Sequence, residues 1–394
     1  MPYTPTLWVA RSTPRITATL LNKIEQALKN IYATVEALVT GATSGTPGII
    51  QVDSFPGTDA EKMTAALAYA AAQTNVPWLQ LPARTFNTGS ATFNLFTGAK
   101  IIGAGVAVGA KNLEISSGKP VIGKWQTSCG SGANALLQMT STVYDVIVSG
   151  IAFHGGSNSQ IFRSTVNAYA VGFNNLTFYG CKHAFGSTSE KFLTTQAVYS
   201  GHFTNLSFTD TQYNIGGSDL QFTGYLNMNG PANVSGAGRP MMILDNVGKT
   251  DITGYLYLTC ENDWAGLLIK GTQDDRVNII GGTFEGRGAS NLATRPVIEV
   301  QSGTVVMHGP HIGYVSGSSG TVDGAVKVSG GIVIIDAPIY LRGSGVAATF
   351  PAFHQTGGVL RLRDVICGTA GEQVRVRWTN GTVEAIPALT SGLV

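Results

Sequence analysis

Charge is scarce in this chain: Asp, Glu, Lys and Arg make up 12% of its 394 residues, and 25 basic against 23 acidic residues leave a formal net charge of +2. Without runs of Lys and Arg, neither nucleic acid nor an acidic membrane surface is expected as a partner. Cysteine is rare too. Cys129, Cys181, Cys260 and Cys367 stand far apart with no C-x-x-C pair, which speaks against a zinc site or a dense disulfide framework and leaves buried free thiols as the expectation. No stretch approaches the ~20 apolar residues of a membrane-spanning helix, so no membrane insertion is expected. The first fourteen residues hold Pro2, Pro5, Arg11 and Pro14 where an export leader would be apolar. His154, His183, His202, His308, His311 and His354 form no i, i+4 pair on a helix, so neither a metal nor another cofactor is expected.

What is present is glycine, 50 residues of it, with abundant Thr, Ser, Val, Ile and Asn, and 43% hydrophobic residues overall. That excludes disorder and describes a β protein rich in turns. Two stretches break the pattern. Over residues 16–39 apolar residues recur at steps of three and four, as Leu21, Ile24, Leu28, Ile31, Val35 and Leu38. Read as a heptad seam this is a short coiled coil whose mixture of Leu, Ile and Val leans toward three or four strands; the alternative is one amphipathic helix lying on a core. Residues 40–48, TGATSGTPG, form a linker. A second helix is predicted over 59–74, with Asp59 as its cap and Met63, Leu67, Ala70 and Ala71 on its apolar face.

From residue 99 the chain repeats. Units such as VIVSGIAFHG, VGFNNLTFYG and VNIIGGTFEG share a small or turn residue at their centre. These centres fall at Gly150, Asn175, Asn205, Gly224, Gly254, Gly281, Gly309, Asp336 and Asp364, at spacings between 19 and 30 residues. A second strand family, starting at Met241, Gly266, Val297, Ala325 and Phe353, repeats between them. Two families repeating together predict one coil per repeat, with Gly and Asn supplying left-handed backbone at the bends. A sandwich would also have many short strands, but without a longer period above its turns. The predicted fold is therefore mostly β: a right-handed parallel β-helix with a short N-terminal coiled-coil stalk and a capping helix. Residues 1–40 form the attachment segment and trimerising helix, 41–98 the linker and cap, 99–370 the β-helix and 371–394 a C-terminal end cap.

The segment DAEKMTAALAYAAAQTNVPWLQLPARTF resembles the start of pectate-lyase-like β-helix proteins, where a helix and a strand ending in a Pro-led turn lead into the coils. TPRITATLLNKIEQAL is similar to a stretch near the N-termini of phage tail fibres and minor tail proteins of Gram-positive hosts. Together these resemblances cover about the first hundred residues. They imply a homotrimeric tail fibre or tailspike, held to a tail or baseplate protein by its N-terminus and touching host-surface glycan with its β-helix. It would reside on the virion tail and reach the extracellular space on host lysis.

Glycosidases of such a fold use paired carboxylates, and acids on adjacent coils would lie about 5 Å apart, near the separation of a retaining enzyme. The candidate catalytic acids are Glu261, Asp263 and Glu285 in consecutive units. Trp264 offers a stacking face, and Arg276 and Arg287 could neutralise an acidic sugar. The alternative for these acids is solvated loop-tip charge, and Asp274, Asp275 and Arg276 read as a turn. No triple-aspartate calcium pattern is found, which counts against a lyase. Tyr179, Tyr199, Tyr213, Tyr225, Tyr255, Tyr257 and Tyr314 lie among Asn and Thr, the composition of a surface that binds a glycan without cutting it. Two functions stay open, attachment and depolymerisation.

Overall fold

The computed structural model describes residues 48–104, 124–156, 158–186, 192, 201–209, 213–215, 220–229, 240–261, 265–287, 296–314, 324–342, 351–368, 374–379, 382–386 and 389–390. The heptad positions Leu21, Ile24, Leu28, Ile31, Val35 and Leu38 lie outside the described residues. What is described is a parallel β-solenoid with one α-helix, Asp59–Ala71, between its first two strands.

That helix is capped one residue earlier than its sequence predicts. Thr58, not Asp59, caps it: the Thr58 hydroxyl accepts from the Glu61 N–H, and the Glu61 carboxylate accepts from the Thr58 N–H at 2.8 Å, a reciprocal box that satisfies two otherwise orphaned donors. Its buried face is Met63, Ala66, Leu67 and Ala70. Ala71 is exposed, because it lies well around the helix from the line joining Met63 and Ala70, whereas Ala66 lies near it. Asp59 is left to grip the first coil. Its carboxylate accepts from Arg84 Nη2 at 2.7 Å and from the Asn87 N–H at 2.7 Å, while Arg84 also holds Asp53 and Lys62 meets Asp53 at 2.9 Å. The hydrogen bonds from Arg84 hold both carboxyls below their usual range.

Each coil contributes three strands. The first face runs through Ile49–Gln51, Trp78–Gln80 and Lys100–Ile102, and ends with Arg276–Ile280, Thr304–His308, Ile332–Asp336 and Val359–Arg363. The second face includes Lys124–Gln126 early, and Tyr255–Glu261, Thr283–Arg287, His311–Tyr314, Ile339–Arg342 and Ile366–Cys367 later. In the middle coils one long strand serves both faces: Ile147–His154, Val171–Tyr179, Gly201–Thr209 and Leu220–Asn229. The third face is the predicted second family, with Pro240–Asp245, Ala265–Lys270, Ile298–Val300, Val326–Val328 and Phe353–Gln355 all parallel. It finishes in an antiparallel hairpin of Val374–Arg377 with Val383–Ile386. Each repeat unit centred on a turn residue is thus two strands and the bend between them.

The bend takes a single residue in left-handed backbone at Gly150, Asn175, Asn205, Gly224, Gly309, Ala337 and Asp364, and two at Gly281 and Gly282. Two predicted centres differ. Asp336 closes its strand and Ala337 makes the bend; Gly254 is needed for space, since a Cβ there would collide with the Gly224 carbonyl. Asn205 Nδ2 donates to Asn175 Oδ1 at 3.0 Å, so two corners are stitched along the axis. Gly224 follows because the Asn205 side chain fills the place a Cβ would take.

The core changes character along the axis. Trp125, Phe153, Phe178 and Phe208 stack on the second face, Phe173, Phe203 and Phe222 on the first, and Phe162 with Phe185 on the third. Further on, the first face buries Val277, Val305, Val333 and Leu360 in one register line and Ile279, Met307 and Ile335 in another. Cys129, Cys181 and Cys367 are buried thiols, and desolvation pushes the Cys181 thiol up to about 12.

Candidate functional site

In a solenoid, strand alternation decides which residues can meet a ligand: one parity fills the core and the other faces out. On the second face Trp125, Phe153, Phe178 and Phe284 are buried, and the residues that follow them, Gln126, His154, Tyr179 and Glu285, face out. The hydrogen-bond register carries one backbone position from strand to strand. The line runs Gln126, His154, Tyr179, Thr209, Asn229, Thr259, Glu285. Every residue in it is polar or a hydrogen-bonding aromatic, and none is Lys or Arg. Successive members are about 4.8 Å apart, the spacing of paired strands.

Two contacts organise this line. His154 and Tyr179 stack with ring centroids 5.3 Å apart and planes 16° from parallel, both half-buried. Burial, and next the charge of Lys124, lower the His154 pKa, so the ring is neutral at pH 7. At the other end Tyr257, two residues before Thr259, donates its hydroxyl to Glu285 Oε2 at 3.1 Å. Between the Lys124 ammonium and the Glu285 carboxylate the face therefore offers hydrogen-bonding groups with aromatic surface beside them, the chemistry that recognises sugar hydroxyls and ring faces.

The predicted acids are distributed unevenly. Glu285 is half-buried on the second face. Glu261 ends strand Tyr255–Glu261 in register with Arg287, not with Glu285. The two glutamates are therefore diagonal neighbours on adjacent strands, roughly 8 Å apart at Cα from the strand spacing and the rise along the strand. They do not stack directly, as equal positions on adjacent coils would. Asp263 and Trp264 lie outside the described residues. Arg276 is exposed at the start of a first-face strand, around the corner from Glu285, and the fold does not bring the two into one outward line.

Asp275 is not a site residue. It is 6% exposed and accepts from the Thr272 N–H at 3.1 Å, the Thr272 hydroxyl at 3.1 Å and the Gly248 N–H at 3.3 Å, tying one coil's bend to its neighbour. Among the described residues no group of three His, Cys, Asp or Glu side chains could hold a metal ion. Sequence reasoning missed His154 as a partner of Tyr179. The available signal was the equal position of H in VIVSGIAFHG and Y in VGFNNLTFYG.

Neither a family model nor a curated protein matches the chain. Among solved structures, a doubly substituted pectate lyase from Xanthomonas campestris is similar over 72% of this chain and 82% of that one, at 11% identity and a TM-score of 0.26.

Proposed function

We propose that this protein is a trimeric virion fibre of the tail fibre or tailspike kind, which attaches to host-surface carbohydrate along the second face of a right-handed β-helix. The observation that carries the carbohydrate reading is the outward line from Gln126 to Glu285. A polysaccharide laid along the axis would meet a hydrogen-bonding residue about every 4.8 Å, and weak contacts repeated on three chains add up to firm attachment. The right hand is the one nearly all parallel crossovers adopt. The helix Asp59–Ala71 serves as the cap of the first coil, the hairpin at 374–386 as the end cap, and residues 1–40 join the chains and fix them to a tail or baseplate protein.

Depolymerisation is the second reading. It draws on Glu261 and Glu285, which stand on adjacent strands of the second face.

The deciding experiment mixes the full chain with isolated host envelope polysaccharide and follows glycan chain length and co-elution by size exclusion, beside H154A/Y179A and E285Q variants. Attachment predicts intact glycan that co-elutes with the parent. For H154A/Y179A it predicts binding at least about tenfold weaker, since removing the stacked ring pair need cost only about 1.4 kcal/mol to reach that factor. Glycan that the parent shortens and E285Q leaves at full length would make the protein a depolymerase instead. Absence of co-elution with the parent would overturn the carbohydrate reading.

A further inference from the structure

The outward surface of the last coils differs from the line just described. On the first face, strands Thr304–His308, Ile332–Asp336 and Val359–Arg363 turn Val306, Ile332, Ile334 and Val359 outward, with Ile332 and Val359 each 40% exposed and the exposed Arg361 beside them in register with Ile334. On the second face the same coils turn out Ile339, Leu341 and Ile366, and Leu341 is 41% exposed. Between these two apolar surfaces runs the corner, where Asp336 holds His308 Nδ1 at 3.3 Å and lies 3.7 Å from Arg363 Nε.

The two surfaces match coil by coil. Ile332 and Ile334 precede the bend at Ala337, and Ile339 and Leu341 follow it; Val359 precedes the bend at Asp364, and Ile366 follows it. If copies of the chain stand parallel and level, each apolar stretch of one first face meets an apolar stretch of a neighbour's second face at the same height. The corner between them carries a carboxylate already shared by His308 and Arg363, so closing the contact does not bury an unpaired acid.

We propose that these two faces are the surfaces through which three copies of this chain pack, with the His308, Asp336 and Arg363 corner toward the common axis. The inference rests on the trimeric reading, because parallel and level copies are what the heptad seam at Leu21, Ile24, Leu28, Ile31, Val35 and Leu38 would deliver. The contact joins two different surfaces, and a contact of that kind closes into a ring by rotation. Three coils of strand offer far less than the ~800 Å² per partner of a stable interface. The seam must therefore supply the high local concentration under which so small a patch docks.

The test is chemical cross-linking of the full chain carrying Ile332→Cys together with Leu341→Cys, using a short bismaleimide. Parent protein serves as background, since its described cysteines are buried. A control pairs Leu341→Cys with Lys327→Cys on the third face. The expected result is a covalent three-chain species for the first pair, many-fold above the control. A trimer by light scattering that yields no such species, or the same yield from the control, overturns the packing and leaves the trimeric reading standing. A monomer by light scattering overturns both.

Discussion

The coils from Trp125 to Phe222 and those from Val277 to Leu360 share one backbone plan, with a bend of one or two left-handed residues and three strands per turn, yet they are filled and faced differently. The earlier coils stack Phe on Phe inside and present polar residues outside along the second face. The later ones pack Val, Ile and Met inside and leave Ile280, Ile332, Leu341 and Val359 exposed. A stacked ring pair contributes ~0.5–1.5 kcal/mol beyond its buried area, whereas a column of branched aliphatics gains chiefly in proportion to area. The aromatic half can thus hold its coils together while keeping a polar line along its second face. The aliphatic half has outward apolar surface left to cover.

The sharpest way to break the comparison is to delete one inward residue from each half. Phe173 stacks on Phe203 and meets Phe162, Phe185 and Phe192 edge-on. Phe173→Ala is expected to cost ~3–5 kcal/mol, and Val305→Ala, which removes two methyl carbons from a buried column, about 2 kcal/mol. Denaturant unfolding of the two variants checks this, and equal losses would mean that ring stacking adds nothing special to the earlier coils.

The corners give a second contrast. Gly224 and Gly309 both have left-handed backbone, with φ of 71° and 62°, but a Cβ at 224 would strike the Asn205 side chain and at 309 would meet open space. Gly309→Ala should lose about 1 kcal/mol for backbone strain alone. Gly224→Ala should lose roughly 2–3 kcal/mol, strain plus the broken Asn205–Asn175 bond. Thermal melts of both variants would show whether the asparagine corner is stiffer than the glycine corner.

The smallest effect concerns the helix before either half. Asp53 and Asp59 have depressed pKa values through Arg84, so their contribution is present above the unfolded value of about 3.9 and is lost as pH falls below it through the folded values. With these groups partly exposed, at most about 1 kcal/mol is at stake. Hydrogen-exchange protection of the helix, relative to the intrinsic rate, should fall as pH drops below about 4, and R84Q should flatten that dependence while leaving the Phe stacks untouched.

Much of this architecture could be read from residues. The third-face strands begin within a residue or two of the positions marked by MMILDNV, GLLIKGT, VIEVQSG, AVKVSGG and FHQTGGV, because their apolar alternation is undisturbed. The division of each longer unit into two faces was hidden, since one left-handed residue leaves no gap in the apolar pattern: Phe173 and Leu176 lie either side of Asn175 and both are buried. The bend at Ala337 was hidden for a related reason. Asp336 is the better turn former, and only the strand register, in which it pairs with His308, assigns it to the strand. The site was less legible than the fold. Composition marks Glu261 and Glu285 as acids near strand ends, but their diagonal offset depends on hydrogen-bond register, which no residue pattern encodes.

Corner spacing along the chain varies from 19 residues between Asn205 and Gly224 to 30 between Asn175 and Asn205, yet the strands on both sides of these corners stay paired. Most of the length variation therefore falls in the segments that join one face to the next, and the bend itself takes up a single residue, as where Thr204 pairs with Thr223 but Leu206 with Leu226. A residue added inside a strand would instead turn the rest of it inside out. The solenoid thus separates what must be kept from what can be exchanged: new surface loops can be inserted or removed without disturbing the lines of residues along its faces.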